Sequence, residues 1–174
     1  MAEAAQVAGR VHFVGHSLGA VLLRGVLARP QPFPVGRVVM LAPPNAGVSL
    51  LQRGELRRLA RLLYGRPALE LAPGSTALRD LPDLPGRPGP GAETGVIAGS
   101  ARFHPFNPSS YWHAVLRPHA PDHDGTVDVA ATRLPGMRDF LVLPVNHSFM
   151  PDHPDVARQV LAFIATGAFA RAEC

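Results

Sequence analysis

The 174-residue chain has a single cysteine, Cys174, at its last position, and it has no lysine. The first scarcity excludes an internal disulfide and a zinc site built from several thiolates. The second makes all 17 cationic side chains arginines, so the sequence pI of about 10.5 reflects guanidinium groups that do not deprotonate, on a net charge of only +4. The arginines are scattered from Arg10 to Arg171 and cluster only at Arg53, Arg57, Arg58 and Arg61. That cluster has helical spacing and no interleaved aromatics, which reads as a solvated helix face and not as a nucleic-acid groove; a phosphate or anionic-surface patch is the alternative. Long apolar runs are missing too. Val38 to Pro44 falls far short of the roughly 18–20 residues of a transmembrane helix, and no basic-then-apolar leader opens the chain. The expectations are no membrane span, no nucleic-acid partner and a cytoplasmic location.

What the chain does contain is 47% apolar residues, 19 prolines and 17 glycines, enough for one domain with a real core and long loops. Residues 10–15 (R-V-H-F-V-G) read as a strand that ends in glycine, followed at once by a helical pattern with Leu18, Val21, Leu22, Val26 and Leu27 on one side. Pro30, Pro32 and Pro34 stop that helix. Arg37 to Ala42 then reads as a strand apolar on both faces, as in a parallel sheet covered by helices. Val48 to Tyr64 follows as one helix, apolar at Leu50, Leu51, Leu56, Leu59, Leu62 and Leu63, with the arginines on its other face. Residues 45–92 read as an excursion, a cap or lid over the site, that includes a short helix after Ser75 and a Pro/Gly loop at Leu84 to Gly91. Thr94 to Ala98 and Asp139 to Val145 are the third and fourth strands. Pro154 to Ile164 is the last helix, with Asp152 and Asp155 at its positive end. Strands alternating with helices give the α/β class.

Gly15-His16-Ser17-Leu18-Gly19 is a G-x-S-x-G in the turn where the first strand meets the first helix. There a serine is held in a strained conformation, with flanking glycines letting strand and helix approach, and the Leu18 N–H can donate to a developing oxyanion. A serine is a poor nucleophile at its free pKa, so a histidine and an acid are required after later strands. His147 follows the fourth strand in Asn146-His147-Ser148. The block Asp122-His123-Asp124-Gly125-Thr126-Val127 follows the third, so the order is Ser, Asp, His.

Taken together, V-H-F-V-G-H-S-L-G-A, V-V-M-L-A-P-P-N-A-G, D-H-D-G-T-V-D-V and L-P-G-M-R-D-F-L-V-L-P-V-N-H-S-F-M resemble the α/β-hydrolase superfamily, in particular bacterial lipases and esterases of the triacylglycerol esterase type. The resemblance implies Ser17 as nucleophile, His147 as base, Asp124 as acid with Asp122 and Asp128 close by, Leu18 as one oxyanion donor, and no cofactor or metal. The implied substrate is a small-molecule or lipid ester. A thioesterase or acyltransferase would use the same residues. The family also carries, ahead of the elbow, a strand with His-Gly that supplies the second oxyanion donor, and nothing in this chain matches it. The expectation is therefore a single domain over residues 1–174 corresponding to the C-terminal portion of the fold. Its first strand would lie at a sheet edge available for pairing. An impaired fragment or interaction protein is the competing reading.

Four further expectations concern particular side chains. His113, His119 and His123 with Asp122 and Asp124 sit in a proline-rich loop, so they form no helical i, i+4 ligand pair of the metal-site kind. His12 reads as a hydrogen-bonded core histidine. His16 either lines the pocket or packs. Trp112 and Tyr111, with Phe103 and Phe106, are candidates for an acyl-pocket wall against ordinary loop packing.

Overall fold

The computed structural model describes residues 9–82 and 93–171, so the loop expected at Leu84 to Gly91 and Cys174 lie outside it. Strands β1 (Val11–His16), β2 (Val35–Leu41), β3 (Thr94–Gly99) and β4 (Asp139–Leu143) form one sheet in the order β1-β2-β3-β4, every pair parallel. Helices α1 (Leu18–Leu27), α2 (Gly54–Tyr64), α3 (Thr76–Asp80), α4 (Pro108–Leu116) and α5 (Pro154–Thr166) occupy the connections and the C-terminal segment. This is the α/β class, and all strands deliver their carboxyl ends to one edge.

Alternation along the central strands splits the core into two layers. Val38, Met40 and Val96 face α1 and pack with Phe13, Ala20 and Phe33. Val39, Leu41 and Ile97 face α5 and pack with Met150, Val156, Phe163 and Phe169. Gly95 lets the second layer close: a Cβ there would stand 2.7 Å from the Phe163 ring. Strand β1 pairs with β2 at one edge of the sheet, and Val14 on its outer face is 49% exposed.

Several elements depart from the sequence reading. The stripe of α1 that meets the sheet is Ala20, Leu23 and Leu27, whereas Leu22 and Val26 face outward, because the steps of three and four from Ala20 set the inward face. The helix expected from Val48 to Tyr64 is broken at Arg53, whose extended backbone (φ −83°, ψ 124°) separates a 3-10 turn (Ser49–Gln52) from α2. Helix α4 was hidden by prolines; Pro108 occupies its first turn, where no N–H is needed, and Asn107 caps it by accepting from the Ser109 N–H at 3.1 Å. His12 is hydrogen-bonded as expected but exposed: its Nδ1 accepts the Arg37 N–H at 2.9 Å, where the β1–β2 register shifts. Helix α5 runs two residues longer than its pattern and stops at Gly167, which adopts φ 82°. Among the described residues no helix is long and apolar enough to cross a membrane.

Among the described residues Phe163 is the largest fully buried side chain, and it packs over the glycine that admits it. Phe163→Ala is expected to lower unfolding free energy by about 3–5 kcal/mol. Chemical denaturation checks this; a loss under 1 kcal/mol would mean that α5 does not pack on β3 as described.

Candidate active site

Strand β1 turns into α1 in one residue, and Ser17 makes that turn with φ 52° and ψ −125°. Such backbone in a residue with a side chain costs about 1–3 kcal/mol and persists only where its surroundings enforce it. Here the Ser17 N–H donates to the Leu41 carbonyl at 2.9 Å, and the Ser17 carbonyl accepts from Ala20 and Val21 at 3.1 and 3.3 Å. A Cβ on Gly15 would lie 2.8 Å from Ala20 Cα, so strand and helix approach only through glycine. Gly19 does not share this reason: it is exposed, and a Cβ there meets nothing within 4 Å outside its own helix. Leu18 opens α1, where an N–H lacks an intrahelical acceptor.

Ser17 Oγ lies 2.9 Å from His147 Nε2, and His147 Nδ1 lies 2.7 Å from Asp124 Oδ2. A carboxylate only accepts, so the shared proton belongs on Nδ1, which leaves Nε2 to accept from the serine hydroxyl. The carboxylate is 1% exposed and fixed from behind, its other oxygen accepting the N–H groups of Thr126 (3.0 Å) and Val127 (2.7 Å). The His147 N–H donates to the Asp124 carbonyl at 2.9 Å, so the two loops are tied through backbone as well. Asp122 and Asp128 are otherwise engaged, Asp122 with Arg102 at 3.0 Å and Asp128 with Arg117 at 2.9 Å.

A polar lattice not legible in the sequence braces these loops. Asn107 Nδ2 donates to Asn146 Oδ1 at 2.9 Å, Asn146 Nδ2 donates to the Ala101 carbonyl at 3.0 Å, and Ser109 Oγ donates to the Gly125 carbonyl at 2.8 Å. Asn107 and Asn146 are both buried. Gly125, at φ 88°, has no room for a side chain because a Cβ would meet Asn146 Nδ2 at 2.7 Å. The only sequence signal was Asn107-Pro108, a helix-start pattern; the pairing across 39 residues is tertiary.

Three histidines surround the site without joining that chain. The His16 ring lies 4.8 Å from that of His147, and burial first, then proximity to His147, brings its pKa from 6.5 to about 4. His113 and His123 stack at 4.3 Å behind the acid loop, where His123 Nδ1 accepts the Gly125 N–H at 3.0 Å. Burial, with His113 and Arg102 adding repulsion, brings His123 to about 4, and burial likewise lowers His113. Among the described residues no three His, Cys, Asp or Glu side chains are placed to hold a metal ion.

Ser17, Leu18, His147 and Ser148 open onto a cavity of about 460 Å³. Its walls are mostly apolar: Leu50 and Leu51 from the 3-10 turn, Leu56, Leu59 and Ala60 from α2, and Trp112 from α4. Of the expected aromatic wall only Trp112 contributes; Tyr111, Phe103 and Phe106 are exposed outside it.

No protein-family model matches the chain, and no curated protein matches it. Solved structures do. A phospholipase from Legionella pneumophila, in complex with thio-NAD, superposes with TM-score 0.65 at 21% identity over 95% of this chain and 43% of that one. A metagenomic carboxyl esterase gives 0.59 at 22% identity over 81% of this chain and 46% of its own. The mature lipase of Bacillus licheniformis gives 0.51 at 18% identity over 86% and 68%. These are similarities of fold alone, and the fold is that of the α/β-hydrolases. The chain spans less than half the length of the phospholipase and the esterase.

A histidine held neutral in the fold takes up its proton only on unfolding, so the unfolded chain binds more protons between pH 6.5 and about 4. Stability is therefore expected to fall as pH drops through that window, with a shallower fall in His123→Gln. Tm measured across the window checks this; a flat profile would contradict the buried neutral histidines.

Proposed function

We propose that the chain carries the reaction centre of a serine hydrolase that cleaves carboxylic esters through an acyl-enzyme on Ser17. The observation that carries this reading is the unbroken line Ser17 Oγ–His147–Asp124, at 2.9 and 2.7 Å, at the mouth of an apolar cavity. The solved structures of similar fold bear the names phospholipase, lipase and carboxyl esterase, which supports the same chemistry.

In this mechanism Ser17 Oγ attacks the ester carbonyl carbon while its proton passes to His147 Nε2. The carbonyl oxygen gains the negative charge and accepts from the Leu18 N–H. Collapse of the tetrahedral species breaks the bond to the alkoxy oxygen, and the imidazolium returns its proton to the departing alcohol. Water then enters, loses a proton to His147, and releases the acid from Ser17. Asp124 holds the ring in the required tautomer and stabilises it while charged. His16, kept neutral beside it, adds no opposing charge at the moment the imidazolium forms.

The leucine walls favour an apolar acyl group. Each methylene moved from water to such a surface is worth about 0.8 kcal/mol, or roughly fourfold in kcat/KM. In a p-nitrophenyl ester series, kcat/KM is expected to rise from acetate to medium chains, and Leu56→Trp is expected to flatten the rise by filling the cavity. Ser17→Ala should cost at least about 10⁴-fold with every substrate. Thioesters of the same acids test the thioesterase reading in parallel. Turnover that survives Ser17→Ala would contradict the proposal.

A further inference from the structure

The arginine cluster and the exposed aromatics are not used by the reaction centre, yet the two helices that carry most of them also supply walls of its cavity. On α2, Leu56, Leu59 and Ala60 face the cavity, whereas Arg57, Arg58 and Arg61 fall on the opposite, exposed side. The sole acid of that helix is Glu55, in its first turn. Leu62 stands among the arginines and is 81% exposed.

Helix α4 forms the adjoining rim: Arg53, at the foot of α2, donates from Nη2 to the Leu116 carbonyl at the end of α4 at 3.1 Å. Its outer face carries Tyr111, Trp112 and Val115, the last 72% exposed, and Phe103 packs edge-on against Tyr111 at 5.0 Å. Phe106, 79% exposed, extends the patch in the loop before the helix. Contiguous exposed aromatics are uncommon on a protein surface that faces only water and are usual where one meets an apolar phase. Trp112 belongs to both regions, lining the cavity and reaching solvent.

We infer that the α2–α4 rim is a landing surface for an anionic lipid bilayer, with Arg57, Arg58 and Arg61 set against lipid phosphates and Trp112, Val115 and Phe106 entering the interface. Arginine beside protruding apolar side chains is the combination such a surface selects. The charge complementarity distinguishes this partner from a neutral apolar one, and Trp112 joins the surface to the cavity. The inference goes beyond ester cleavage and does not require Ser17 to react.

The test uses the Ser17→Ala chain, so that no lipid is consumed, with vesicles of phosphatidylcholine alone or with a quarter of phosphatidylglycerol. Trp112 is the only tryptophan, so its emission reports on the rim directly. Co-sedimentation and a blue-shifted emission are expected with the anionic vesicles and not with the neutral ones, and raising salt to roughly 0.5 M should release the chain. Converting Arg57, Arg58 and Arg61 together to glutamine should weaken vesicle binding about 100-fold, at about fivefold per arginine. In a background that retains Ser17, the same triple change should leave turnover of a soluble short-chain ester unchanged. Binding to neither vesicle, equal binding to both, or binding indifferent to the triple change would each overturn the inference. Absence of soluble-ester turnover in the unsubstituted chain would instead count against the esterase reading.

Discussion

Ser17 is held at φ 52° and ψ −125°, in backbone that costs about 1–3 kcal/mol, and the geometry of the site depends on that position being enforced. Three contacts enforce it: the N–H bond to Leu41, the carbonyl bonds from the first turn of α1, and the contact across Gly15 that lets β1 and α1 meet without a side chain between them. The Leu41 contact matters most for the rest of the fold, because it pins the turn to β2, the strand buried on both faces. The hydroxyl is therefore referenced to the rigid centre of the sheet and not to a loop.

The parallel sheet supplies the second condition. Its strands end at one edge, so segments that leave β3 and β4 arrive beside the Ser17 turn although Asp124 and His147 are more than a hundred residues further on. The long segment between β3 and Asp124 would wander without bracing. The Asn107–Asn146 amide pair, the Ser109–Gly125 contact and the backbone bond from His147 to Asp124 replace water with fixed partners in a buried place. Such a lattice is stabilising only when complete, since a buried amide left without its partner costs about 1–3 kcal/mol. The His113–His123 stack adds to it while both rings are neutral.

Legibility in the sequence followed the range of the interaction. The alternation of strands and helices, the strand–Ser17–helix turn and the doubly apolar β2 are local patterns and could be read directly. Helix α4 was obscured because its flanking prolines resemble loop punctuation, although Asn107-Pro108 is a proper helix start. The break at Arg53 gave no signal, since leucines continue at helical spacing on both sides of it. On α1, Leu27 meets the sheet as expected, but Leu22 and Val26 are as apolar as Leu23, and only the sheet distinguishes them. The choice among Asp122, Asp124 and Asp128 could not be made from spacing. In the structure the arginines at 102 and 117 engage the other two, an arrangement set entirely by tertiary contacts.

Covalent capture is the sharpest test of Ser17 as a nucleophile activated by His147. The folded chain would be treated with a fluorophosphonate, and intact and peptide masses read for the wild type, Ser17→Ala and His147→Gln. One adduct is expected, on the peptide bearing Ser17, absent from Ser17→Ala and formed at least about 10³-fold more slowly in His147→Gln. A folded chain that takes no adduct, or one labelled instead at Ser109 or Ser148 on the cavity wall, would contradict it.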